Sequence, residues 1–181
     1  MSILSDGLAG AARAALVSFV VTNALLRLGL PGLVVVAGGV VTSVSTSTAQ
    51  TPLKHEHLTL VMATGEVTIV VEIAQTPEQK AKGLMFRKTL DDRAGMLFPY
   101  GQPQEITMWM KNTYIPLDMV FIRSDGTIHR IEAMTEPFSE VTVASQGAVA
   151  AVLELNGGAA ARLGLKAGDK VRHAVFAIPY K

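Results

Sequence analysis

The stretch DMVFIRSDGTIHRIEAM, Asp118 to Met134, restricts the fold more than any other. Two runs rich in Val, Ile and Phe flank the pair Asp125 and Gly126. Such a pair closes an antiparallel hairpin, because Asp and Gly accept the backbone that a tight turn demands. The same plan recurs upstream, where HLTLVM and EVTIVVEIA are separated by ATGE, with Gly65 suited to the connection. AVAAVLEL and DKVRHAVFAI add two further strands, and NGGAAARLGLKAGD between them reads as a short helical turn with glycine stops. In TPEQKAKGLMF, Thr76 is placed to cap a helix, Pro77 fits its first position and Gln79 completes a capping box. Gly83 then limits that helix to two or three turns. The expectation is a mainly β domain, on the border of α+β. It should form a compact, strongly bent sheet or small barrel of about seven strands with one or two short helices.

The chain begins in a different material. Ala14 to Val41 carries no acidic residue and one charge, Arg27, and TSVSTSTAQTP follows it. Two readings fit residues 1–49. In one, Arg27 ends a basic region, Leu28 to Val41 is the apolar core of an export signal and cleavage follows Ala49, with a translation start assigned too early. In the other, the apolar stretch is a retained membrane anchor that Arg27 interrupts. Either reading places the remainder outside the cytoplasm, in the periplasm, with the membrane touched only through this segment. Residues 50–57 then read as a polar leader and 58–178 as a single globular domain.

From Lys54 onward the chain holds fourteen basic and fourteen acidic residues, since Arg13, Arg27 and Asp6 lie upstream. That balance argues against nucleic acid as a partner, which needs a basic face to displace counterions from phosphates. With no cysteine, disulfides and thiol chemistry are excluded. His55 and His57 share a side if they lie on a strand and could grip a metal, whereas His129 and His173 have no adjacent partner in the sequence. Met85, Met96, Met108, Met110, Met119 and Met134 could offer thioethers to a soft ion, yet each sits among Leu, Phe or Ile, where methionine fills a core. Phosphate-loop, dinucleotide, zinc-protease and nucleophile-elbow motifs are missing from the sequence, and no cofactor is expected.

The segment MWMKNTYIPLDMVF, Met108 to Phe121, concentrates polar and aromatic groups. If Ile106 to Met110 is a strand, Ile106, Met108 and Met110 face the core, while Thr107, Trp109 and Lys111 face away. An indole beside an ammonium and Asn112 could stack on a flat ligand while donating hydrogen bonds. The same residues could equally brace a corner, Asn112 bonding its own backbone and Pro116 setting the entry to the next strand. Asp118 opens an apolar strand, so its carboxylate is expected to accept hydrogen bonds from backbone amides or Asn112 within that corner.

KAKGLMFRKTLDDRAGMLFPY, ITMWMKNTYIPLDMVFI, IEAMTEPF and AVLELNGGAAARLGLKAGDKV together resemble the blocks of the domain of unknown function 192 family over about Leu58 to Val175. The resemblance implies a compact, β-rich domain, often behind an export signal, and places a polar signature on Arg87, Trp109, Lys111, Asn112, Asp118 and Glu136. It implies no activity. Since no nucleophile, base and orienting group stand together, the expected function is an exported, noncatalytic module. Its ligand would be a small polar molecule, a glycan fragment or an envelope protein. One alternative is a hydrolase-like enzyme using Asp118 and Glu136 as acid and base, with Arg87 or Lys111 holding an anionic substrate. Another is a metal-binding protein with methionine or histidine ligands.

Overall fold

The structure is a computed structural model that describes residues 52–176. The export or anchor segment expected over residues 1–49 lies outside them. Strands β1 (Lys54–Met62) and β2 (Gly65–Ile73) form the first hairpin, with Met62 opposite Gly65. Lys54 to His57, read above as leader, pair with β2 and belong to β1. Helix α1 (Pro77–Lys82) leads into β3 (Ala94–Met108), which runs parallel to β2. Then come β4 (Leu117–Ile122), β5 (Ile128–Thr135), β6 (Val143–Asn156), α2 (Ala159–Leu163) and β7 (Lys170–Arg172).

These seven strands make one sheet in the order β5-β4-β6-β3-β2-β1-β7. The sheet curls until its two ends touch: Thr127 bridges Lys170, and the Val171 amide donates to the Gly126 carbonyl at 2.8 Å. Gly126 is required there twice over. Its φ is +78°, and a Cβ would stand 2.4 Å from the Val171 carbonyl oxygen. The expected mainly β, bent sheet is therefore a curled half-barrel with two short helices.

Local chemistry accounts for the elements. The Thr76 hydroxyl accepts from the Gln79 amide at 3.2 Å while the Gln79 side chain accepts from the Thr76 amide at 3.0 Å, the reciprocal cap that the spacing predicts. Two strands differ from their sequence signals. β3 starts fourteen residues before Met108, with its register shifting between Pro99 and Gln104, because proline cannot donate to a ladder. β7 stops at Arg172, and Ala174–Phe176 turn instead into a 3-10 helix that packs Val175 and Phe176 on the core.

Every residue of β4 is buried, so both faces of the sheet are covered at this strand. Val120 and Ile122 join one core with Leu58, Leu60, Leu153, Leu155 and the α2 residues Ala159 and Ala160. Leu117, Met119 and Phe121 join the other with Met96, Phe98, Val152 and Leu84, which follows α1. The β2-α1-β3 crossover supplies the lid of this second core. The functional question lies under that lid.

Candidate functional site

A cleft of about 220 Å³ opens between the end of α1 and the sheet. Lys80, Lys82, Leu84 and Met85 form one wall, and Phe98, Tyr100, Thr107 and Trp109 form the other, with Thr113 and Glu154 completing it. Gly83 brings the helix end close. Its φ of +48° ends α1, and a Cβ there would meet the Phe98 ring at 3.3 Å. Trp109 stands at the rim, 45% exposed, with the Lys111 ammonium 5.2 Å from its ring centroid. On the opposite wall Lys80 lies 4.7 Å above the Tyr100 ring, and burial holds its ammonium below the usual lysine range.

The unexpected member is Glu154. It lies on β6, opposite Met96 of β3 and Met119 of β4. The strand's alternation turns it onto the α1 face beside Val152, while Leu153 and Leu155 point to the other core. Only 4% of it is exposed, and among the described residues its carboxyl makes no hydrogen bond or ion pair. Burial alone pushes its pKa up to about 8. Nearby, burial and the Glu154 charge raise the Tyr100 phenol to about 12, and its hydroxyl meets the Met108 sulfur at 3.5 Å. A protonated carboxyl at neutral pH, free to donate and to accept, thus forms part of the cleft.

Of the polar signature residues singled out from the sequence, Trp109 lines this cleft, and of the methionines Met85 and Met108 do. Arg87 forms a two-pronged ion pair with Glu72 on β2, one prong at 2.6 Å, and so ties the segment after α1 to the sheet. Lys111 reaches Glu140 at 3.5 Å. Asn112 takes the left-handed conformation at φ +55°, and its carbonyl accepts from the Phe86 amide at 2.9 Å. Its side chain meets the Met85 sulfur at 3.9 Å. Thr113 is buried, its hydroxyl donating to the Lys111 carbonyl at 3.2 Å, which tightens the turn.

Asp118 is completely buried and fully used. One oxygen accepts from the Met134 and Gly158 amides at 2.8 and 2.9 Å, and the other from the Ala160 amide at 2.8 Å. Amide donors are as expected, but they come from β5 and the start of α2 rather than from the corner of residues 111–118. The carboxylate therefore pins three elements together. Glu136 is exposed. The postulated acid and base have neither a shared enclosure nor, at Asp118, a free face for substrate, so that catalytic pairing is set aside.

The remaining ligand candidates disperse as well. His55 and His57 lie exposed on β1, and His173 meets Glu56 at 2.9 Å. His129 meets Arg123 at 2.7 Å. Met96, Met110 and Met119 are core residues, and Met108 packs against them. Among the described residues no three His, Asp or Glu side chains gather as a metal cluster, and no helix is long and apolar enough to cross a membrane.

A curled half-barrel with one β-α-β crossover, carrying a buried acid in the cleft beneath that crossover, defines the class of domain. The sequence profile of domain of unknown function 192, described as an uncharacterized ACR, matches residues 59–173, and the chain belongs to this family. The crystal structure of a candidate transcription regulator from Sinorhizobium meliloti is 43% identical, with a TM-score of 0.68, over 70% of this chain and 99% of that one. A protein of unknown function from Novosphingobium aromaticivorans is also 43% identical, with a TM-score of 0.65, over 67% of this chain and 86% of that one. No curated protein matches.

Proposed function

We propose that this chain is an exported, noncatalytic binding module that takes a small polar molecule into the cleft beneath α1. The observation that carries the reading is Glu154, a carboxyl 4% exposed that has no hydrogen-bond partner among the described residues. A buried polar group left unpaired costs about 1–3 kcal/mol, and a ligand that supplies the missing hydrogen bonds recovers that loss. Apolar walls with a few converging polar groups are the usual make-up of a small-molecule site. The cleft volume of about 220 Å³ favours a small molecule over a glycan chain or a protein surface. Trp109 serves as the aromatic rim, while Arg87, Asn112 and Asp118 hold the framework that presents it. Export is supported by the apolar, acid-free stretch from Ala14 to Val41.

The description of the Sinorhizobium protein as a candidate regulator does not extend readily to DNA binding here, because the balanced charge from Lys54 onward offers no broad basic surface. Thermal-shift screening of small metabolites and cell-wall fragments tests the binding reading. Binding compounds should raise the melting temperature of the parent and lose that effect in Trp109→Ala and Glu154→Gln. If no compound shifts the parent, or the shifts survive both substitutions, the cleft is not the site.

A further inference from the structure

If the cleft is the ligand site, its distribution of charge indicates what kind of ligand it holds. Glu154 is enclosed, lines the cleft and is unpaired among the described residues. The aliphatic and aromatic walls come from Leu84, Phe98 and Tyr100. Lys80 and Lys82, both on α1, line it as well, and Lys82 is exposed. The cleft is therefore shared by a carboxyl on the sheet and two lysines on the helix, the Lys80 ammonium lying over the Tyr100 ring. Its complement is a molecule of the opposite polarity, with an ammonium at one end, a carboxylate at the other and a compact body. A simple amine would satisfy Glu154 but meet the lysines' repulsion, and a simple carboxylate would do the reverse.

We propose that the cleft binds a free amino acid, its ammonium on the Glu154 carboxyl and its carboxylate toward Lys80 and Lys82. Glu154 is protonated in the empty cleft near neutral pH, because burial raises its pKa to about 8. An arriving ammonium keeps its own three hydrogens, and the Glu154 proton passes to solvent as the ion pair forms. The charged or titratable groups lining the cleft around Glu154 are Tyr100 from β3 and Lys80 and Lys82 from α1, while its strand neighbours Met96 and Met119 are uncharged. The part of the proton release that Glu154→Gln loses is the part that reports on Glu154.

The experiment is titration calorimetry of the full-length protein at pH 7, in two buffers of different ionisation enthalpy. The probes are glycine, alanine, leucine and glutamate, with N-acetylleucine, isopentylamine and 4-methylpentanoate as controls. At least one free amino acid should bind with release of about one proton. The leucine derivatives lacking either charge should bind at least about tenfold more weakly than leucine, a loss of about 1.4 kcal/mol. Glu154→Gln should abolish the proton release, and the double variant Lys80→Ala, Lys82→Ala should weaken amino-acid binding without abolishing that release. N-acetylleucine binding as tightly as leucine would overturn the proposal, showing that Glu154 pairs with a neutral amide while the cleft stands as a site. Failure of all four amino acids to bind would also overturn it. In that case thermal shifts with other polar compounds decide separately whether the cleft is a site at all.

Discussion

Two buried carboxyl groups lie on neighbouring strands, and they have opposite surroundings. Asp118 on β4 faces one core and accepts three backbone amides. Glu154 on β6 faces the other core and has no partner among the described residues. Their strands are in register, with Asp118 opposite Leu155 and Met119 opposite Glu154, so the sheet separates the two acids by its own thickness. Burial alone does not distinguish a brace from a site. What separates them is whether the protein itself uses the lone pairs, because an acid with three donors holds elements together and an acid with none awaits another molecule.

The sharpest way to break this comparison is to remove the brace. Asp118→Ala should cost about 3–5 kcal/mol, since it strands amides from β5 and α2 in a dry interior. In a domain whose total stability is on the order of 5–15 kcal/mol, the urea midpoint should fall far enough to leave part of the protein unfolded at ambient temperature. Unchanged stability would refute the brace.

Glu154 should behave in the opposite sense. Glu154→Leu removes an unpaired acid from a mostly apolar face, and at pH 8 should stabilise the empty protein by about 1–4 kcal/mol, as apolar replacements of buried charges commonly do. The pH dependence has a defined sign. Because the folded pKa of about 8 lies above the ordinary 4.5, the unfolded chain releases its proton first as pH rises. Stability from this group is therefore complete below about pH 4.5, declines by up to about 1.4 kcal/mol per pH unit, and is lost as pH passes through about 8. Glu154→Gln should flatten that component of the urea-midpoint profile. A profile of equal slope in parent and variant would remove Glu154 from the account.

Smaller effects sharpen the contrast between framework and surface. Thr76→Ala deletes one side of the reciprocal cap on α1 and should cost about 1 kcal/mol by urea denaturation. Lys111→Ala loses an exposed pair at 3.5 Å and a contact with the Trp109 ring, and should change stability by less than about 0.5 kcal/mol. A larger loss there would mean that the Lys111 corner carries structure rather than rim chemistry.

Much of the framework was legible because it rests on local chemistry. The Asp125–Gly126 turn, the Thr76 and Gln79 cap and the alternation of Ile106, Met108 and Met110 each follow from residues close in sequence. Asp118 was legible as an acid needing amides, but its donors lie 16 to 42 residues away, and no local pattern identifies them. Glu154 escaped notice because one acid in AVLELN reads as the outward member of a half-buried strand. The available signal was the apolar run around it: AVAAVLEL has apolar residues at both alternations, as a central strand covered on both faces does. An acid inside such a run must be buried. That α1 then leaves room beside it is a tertiary fact, set by the crossover and by Gly83 against Phe98.

The most direct test of the contrast is a carbon-13 NMR titration of the Glu154 side-chain carboxyl, assigned by comparison with Glu154→Gln. An enclosed, unpartnered acid should titrate with a midpoint near pH 8. A midpoint in the ordinary glutamate range, about 4 to 5, would mean that water or a protein donor already satisfies Glu154, and the contrast with Asp118 would fail.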